Sequence, residues 1–296
     1  MKFVSCSLLL CSALSGGIAH AQEAPRQDGV NVGNMSWARK FGGSGLEQQA
    51  ALQYAQVIQD ARQKRALGPD DFSQVVRLRS IANKLIPYTL SWNPRSKNWK
   101  WEINLLGSKQ INAYCMPGGK IAFYSGILDT LKLTDDEIAI VMGHEIAHAL
   151  REHGAERAGK ANILNFMVQG TEVVAGLKGY DPRFAGALAG SVAKVGMLAF
   201  SRQDETEADI VGLDIAARAG FDPRAGIVLW QKMAMVNKSS PPQWLSTHPA
   251  GNNRIAEIQK HLPEVMPLYA KAHGVDVHKL APYQANVKGI SAVSYP

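Results

Sequence analysis

Between Thr134 and Leu150 the chain sets two histidines and a glutamate, His144-Glu145-Ile146-Ala147-His148, into a run that is otherwise almost wholly apolar. The run starts like a helix. Thr134-Asp135-Asp136-Glu137 has the spacing of a capping box, in which Thr134 caps the first turn and Glu137 reaches back to it. The acidic residues also suit the positive end of a helix dipole. Ile138 to Met142, Ile146, Ala147, Ala149 and Leu150 then leave no polar face, so the helix is predicted to be buried. Buried polar groups need partners. Residues four apart share a helix face, so His144 and His148 can direct two imidazoles at one metal ion, with Glu145 beside that face. Zinc binds nitrogen, sulfur or carboxylate ligands tetrahedrally, and a catalytic zinc keeps one position for water. His-Glu-x-x-His on a helix is the zinc-peptidase pattern, with the glutamate as general base. His153, nine residues after His144, falls about 180° round the helix. It is expected at the surface or behind the ligands, not on the metal.

A third ligand is needed, and a second acidic helix start offers one. Ser201-Arg202-Gln203-Asp204-Glu205-Thr206-Glu207-Ala208-Asp209 leads into Ile210, Val211, Leu213 and Ile215. Glu205 and Asp209 share a face. Glu205 can bind the metal while Asp209 accepts the free ring N–H of a ligating histidine, which fixes its tautomer. An acidic first turn is also ordinary helix-dipole chemistry. Glu207, about 200° from Glu205, is expected in solvent.

The two motifs together, HEIAH and SRxxExxAD, resemble the gluzincins of metallopeptidase family forty-eight. That group includes the CaaX prenyl proteases, the HtpX-like membrane proteases and the soluble periplasmic LoiP-like and BepA-like enzymes. Further stretches match. Asn112 to Ile121, NAYCMPGGKI, is similar to the family's edge-strand segment; Ser125-Gly126-Ile127-Leu128, Ala219-Gly220-Phe221-Asp222-Pro223 and Ser246-Thr247-His248-Pro249 with Arg254 are similar to its other signatures. The resemblance spans about residues 70 to 262. It implies an α+β, mainly helical fold: a zincin-type catalytic domain with a small β-sheet and an edge strand over the active-site cleft, assigned to Gly119–Tyr124. It implies one zinc ion per chain, held by His144, His148 and Glu205, with Glu145 as general base and Asp209 behind a zinc histidine. His248, and with it Arg254, would lie near the metal. Taken alone, His248 reads as a residue at a helix start before Pro249. An open strand edge can pair with an extended peptide, which points to flexible protein substrates.

The remaining chain supplies the setting. Lys2, the apolar stretch from Phe3 to Leu14 and Ala19-His20-Ala21 have the organisation of a signal peptide over residues 1–21, so a periplasmic protein is expected. Leu8-Leu9-Leu10-Cys11 is a poor lipobox. About 275 residues would remain, enough for one domain with a sizeable core: a flexible segment and helix over 22–69, the peptidase domain over 70–262 and a tail over 263–296. Cys115 is then the one cysteine left, and is expected as a buried small hydrophobe. Helices are expected over Leu46–Arg65, Phe72–Leu85, Pro223–Val236 and Pro249–His261, a strand over Trp99–Leu106, and a helical hairpin beside the cleft over 161–200. No repeat array follows residue 262, which resembles the minimal LoiP-like form. The net charge of +7 suits peripheral association with anionic membranes, and equally a soluble protein without a charged partner. No arginine-rich block with interleaved aromatics points to nucleic acid.

The expected function is zinc-dependent endopeptidase activity in the bacterial envelope on unfolded or misassembled proteins, a quality-control role. The alternative is a latent or chaperone-like zinc protein that holds such proteins and rarely cleaves them, with His248 blocking the metal.

Overall fold

The computed structural model describes residues 28–162, 199–236, 242–249 and 253–295. The signal-like segment and most of the expected 161–200 hairpin lie outside these residues. In chain order the described elements begin with a short 3-10 helix, Trp37–Phe41, then α1 (Leu46–Gln63) and α2 (Ser73–Leu85). Strands β1 (Glu102–Leu106), β2 (Ala113–Met116) and β3 (Lys120–Tyr124) follow. Next come α3 (Ser125–Leu131), α4 (Asp135–Leu150), α5 (Arg202–Arg218), α6 (Ala225–Val236), α7 (Gln243–Thr247) and α8 (Arg254–His273). Among the described residues the fold is mainly helical with one three-stranded sheet, as expected.

The sheet order is β1-β3-β2, with β1 parallel and β2 antiparallel to β3. This corrects the assignment of the edge strand. Lys120–Tyr124 is the central strand, and Ala113–Met116 is the edge beside α4. The alternation along each strand divides the sheet's two faces. Ile103, Leu105, Ala113, Ile121 and Phe123 join the main core with α2 and α4, whereas Leu106 and Ala122 pack with Tyr54 and Ala61 of α1. Covered on both faces, β3 shows little polar alternation, so its pattern could not correct an edge assignment that came from the resemblance. The Tyr124 N–H donates to the Asn112 carbonyl at 3.1 Å. In an antiparallel ladder that bond places Tyr114 and Met116 in hydrogen-bonded pairs with β3 and turns the Cys115 N–H and C=O to the outer side.

The two helix starts are as the sequence reads. Thr134 Oγ1 accepts from the Glu137 N–H at 3.2 Å and Glu137 returns the bond at 2.8 Å. Ser201 and Asp204 form a second capping box at the start of α5. What joins these helices is a pair of glycines. A Cβ added to Gly143 would meet the Gly212 carbonyl oxygen at 2.8 Å, and one added to Gly212 would meet the His144 nitrogen at 2.7 Å. Helices α4 and α5 therefore touch backbone to backbone, one residue from His144.

Three expectations are corrected at the ends of the chain. Residues 28–41, expected to be flexible, are tied to the domain: Val30 is fully buried, its N–H donates to Asp214 at 3.3 Å, and the Gly33 carbonyl accepts from Arg151. The closing helix begins at Arg254 rather than Pro249 and runs to His273 through Pro263 and Pro267. A proline inside a helix removes a hydrogen bond and crowds the preceding turn, but Val265, Met266, Leu268 and Ala270 are buried on either side and hold the helix together. Beyond it Tyr283 returns to α4, its hydroxyl 2.8 Å from Thr134 Oγ1. Strand β1 starts three residues later than expected, with Trp99 buried instead and its Nε1 donating to Glu47 at 3.1 Å.

Replacing Gly143 with alanine tests the helix contact. The substitution would gain about 1 kcal/mol of helix propensity, but overpacking against backbone costs about 1–3 kcal/mol. We expect net destabilisation, read as a lower urea midpoint; an unchanged or higher midpoint would refute the close approach.

Candidate metal centre

Four side chains that the sequence marks converge in the core: His144 and His148 from α4, Glu205 from α5, and His248 at the end of α7. All are buried, and one donor atom from each lies within 4.8 Å of the others. His144 Nε2 is 3.0 Å from His148 Nε2 and 3.3 Å from His248 Nδ1. Glu205 Oε1 is 3.0 Å from His248 Nδ1 and 3.4 Å from His148 Nε2, and Oε2 is 3.6 Å from His144 Nε2.

These distances suit a metal. Asp209 Oδ1 stands 2.9 Å from His144 Nδ1, so that nitrogen carries the ring proton and Nε2 presents a lone pair. Uncompensated lone pairs and a carboxylate gathered at 3.0–3.6 Å in a buried site repel one another; a cation at the centre removes the repulsion. A tetrahedral ion with bonds near 2.1 Å would set its donors about 3.4 Å apart. The separations fall around that figure, so the residues fit one divalent ion.

Arg254, at the start of α8, clamps the acidic side of the site. Its guanidinium donates to Glu205 Oε2 at 2.6 Å and to Asp209 Oδ1 at 2.5 Å, makes a further bond to Asp209 Oδ2, and lies 4.3 Å over the Trp230 ring. Burial alone would raise the Glu205 carboxyl, but its contacts with His148 and His248 outweigh it and hold the group well below the usual carboxylate range. Burial likewise pushes Asp209 up, and the Arg254 charge and His144 hydrogen bond carry it below its ordinary value. His148 is lowered well below the usual histidine value, chiefly by burial. His248 moves the other way: the Glu145 charge and the Glu205 hydrogen bond outweigh burial and raise it.

Glu145 lies beside the donor cluster. Its Oε1 accepts from Trp244 Nε1 at 2.6 Å and is 3.6 Å from His248 Nε2. Trp244 was not found by reading the sequence. It stacks on His248 at 5.1 Å, and the four-residue spacing of the two is the signal that was available; α7 is only five residues long, too short to show a periodic pattern. Glu145 and His148 open onto a cleft of about 1390 Å³ that runs along the edge strand, Ala113–Met116, to Trp99. Cys115, expected fully buried, is half-buried: it packs against the main core and lines this cleft. Burial and the Glu145 charge push its thiol well above the ordinary value, so it is a poor nucleophile.

Of the two residues expected outside the donor set, His153 takes the second of its expected places, behind a ligand, and Glu207 departs from its expected exposure. α4 ends at Leu150, and the chain restarts as a helix over 153–162. His153 is thereby buried, its Nδ1 2.9 Å from His148 Nδ1. Glu207 is not in free solvent: it accepts from the buried Arg151 and lies 3.6 Å from His153 Nε2. The angular argument assumed one continuous helix, and the break after Leu150 removes that premise.

The profile of peptidase family M48 matches residues 74–262, more than half of the chain. The chain is 37% identical over 183 residues to the mitochondrial metalloendopeptidase OMA1 of Saccharomyces cerevisiae, covering 58% of this chain and 50% of that protein. It is 34% identical over 179 residues to the bovine OMA1 metalloendopeptidase, covering 57% and 34%. It is 28% identical over 307 residues to the beta-barrel assembly-enhancing protease of Yersinia pestis, covering 93% of this chain and 59% of that protein. The chain thus spans between a third and three fifths of the length of these relatives.

The clamp generates a stability prediction. Arg254→Ala leaves Glu205 and Asp209 buried without their common cation, a loss of about 3–5 kcal/mol. Chemical unfolding of the metal-free protein at neutral pH would measure it; a change under 1 kcal/mol would show that the pairing is not what holds the carboxylates.

Proposed function

The chain belongs to peptidase family M48; on that premise we propose that it is a metalloprotease, a zinc-dependent endopeptidase of the bacterial envelope that cuts unfolded or misassembled proteins. One arrangement carries the reading: a buried carboxylate, Glu145, stands beside the four-donor cluster at the head of a cleft bordered by an open strand edge. The nitrogen-rich donor set favours zinc. Zinc, when bound, polarises a carbonyl and lowers the pKa of its water.

The protein's own groups supply the rest. The outward N–H and C=O of Cys115 pair with an extended substrate backbone, which aligns the scissile bond with the site. Trp244 fixes one oxygen of Glu145, and the carboxylate takes the proton of the attacking water and passes it to the leaving amine. His248 is placed to donate to the oxyanion that develops on the carbonyl. Asp209 holds the His144 tautomer, and Arg254 holds Asp209 and Glu205 in place. Open-edge recognition requires an extended stretch of chain, which folded proteins seldom offer.

The envelope assignment draws on the signal-like residues 1–21 and on similarity to the Yersinia protease over 93% of this chain. No helix among the described residues is long and apolar enough to cross a membrane. Peripheral contact with anionic lipid remains part of the proposal through the net charge of +7.

A second reading follows from His248. Its Nδ1 stands inside the donor set, where a fourth protein ligand would take the position that water needs. The protein would then be latent, or would bind unfolded chains and rarely cut.

Casein cleavage by the zinc-loaded protein tests both readings. Glu145→Gln is expected to reduce the rate by about 10²–10⁴-fold while zinc still binds. Chelation should abolish cleavage and added zinc restore it. Equal cleavage by parent and Glu145→Gln would remove Glu145 as the base. If neither cuts and His248→Ala does, the latent reading holds. Trp244→Phe, which keeps the ring but loses the donor, is expected to lower kcat about tenfold with KM little changed; an unchanged kcat would show that the hydrogen bond to Glu145 is dispensable.

A further inference from the structure

His144 and His148 enter the donor cluster alike but are held from behind in different ways. Each directs Nε2 inward. A neutral imidazole that gives Nε2 to a metal carries its proton on Nδ1, and that N–H, buried, needs an acceptor. For His144 the acceptor is Asp209, clamped by Arg254. For His148 the group in place is the ring of His153, with the two Nδ1 atoms 2.9 Å apart and the rings edge to face at 75°.

We propose that His153 is a positioning residue for His148: it accepts the His148 Nδ1–H and is itself backed by the Glu207–Arg151 ion pair. The proton placement follows from the geometry. With Nδ1 as acceptor, His153 carries its own proton on Nε2, and the group facing that nitrogen is Glu207 Oε2 at 3.6 Å, an electrostatic contact longer than a hydrogen bond. Glu207 Oε1 accepts from Arg151, which is 1% exposed and also donates to the Gly33 carbonyl. Phe200 stacks on the ring of His148 at 4.0 Å and limits its rotation. Both metal-facing histidines are therefore backed by a carboxylate that a buried arginine holds, directly in one case and through a second histidine in the other. The longer path also ties the site to the segment before α1, because the same arginine grips Gly33.

The inference rests on the metal-binding reading of the site, and zinc affinity measured on the full chain separates the two. The metal-free protein would be titrated with zinc against a fluorescent chelator, for the parent, His153→Phe, His153→Gln and Glu207→Gln. Phenylalanine keeps a ring but offers no acceptor; glutamine offers an amide oxygen. His153→Phe is expected to bind zinc about 10–100-fold more weakly, and His153→Gln to recover most of that loss. Glu207→Gln, which keeps the shape and removes the charge, is expected to fall between. Parental affinity in His153→Phe would overturn the proposal, as would an equal loss in His153→Gln, since volume and not the acceptor would then matter. Should metal-free His153→Phe fail to melt cooperatively, Glu207→Gln decides, and parental affinity there overturns the relay. A parent that binds no zinc would overturn the metal reading and the relay together.

Discussion

The contact of Gly143 with Gly212 is the constraint on which the site depends. Side chains at a helix crossing normally hold the axes 8–10 Å apart. Here neither helix has a Cβ at the crossing, and the backbones meet. That proximity lets imidazoles from one helix and carboxylates from the other occupy one buried volume. With larger residues at the crossing, His144 and Asp209 could not stand 2.9 Å apart without a shift of one helix.

Close approach brings an electrostatic problem that the rest of the structure answers. Histidines and carboxylates are removed from water around the donor cluster, and each buried polar group must find a partner. Arg254 compensates Glu205 and Asp209, Arg151 compensates Glu207, and Trp244 occupies one oxygen of Glu145. These groups come from α8, from the break after α4 and from α7, so the polar network draws on segments distant in the chain. The remaining demand, for a cation among Nε2 lone pairs and a carboxylate, is met by metal binding, which couples the site to the stability of the core.

The cleft follows from the sheet. With β3 between the other two strands, β1 and β2 are the edges among the described residues; segment 66–68 bonds to the outer side of β1, and β2 lies against α4 next to Glu145. Sheet edge and metal cluster therefore share one rim. An extended chain laid along the edge runs toward the carboxylate, and the helical bulk of the domain has only to hold the two in register.

Much of this was legible along the chain, and the limit has a physical cause. Helix α4, its capping box, and His144, Glu145 and His148 could be read because helical spacing is a local property: residues four apart share a face in any straight helix. Glu205 and Asp209 were found the same way, one turn apart on α5. His248 and Arg254 have no such spacing to the other donors and were placed by family resemblance. Trp244 had only its four-residue spacing from His248 to mark it, and which of its two expected places His153 takes and the pairing of Glu207 with Arg151 could not be read, because both depend on where the helix breaks and on which distant segment packs there. The edge strand, assigned by resemblance, could not be checked along the chain, because hydrophobic alternation reports whether a strand is covered and not which neighbour covers it. By itself, then, the sequence determined the helices and the donors each could present. Tertiary structure alone decided which strand edge stayed open and which groups hold the donors from behind, because those follow from contacts between segments that are far apart along the chain.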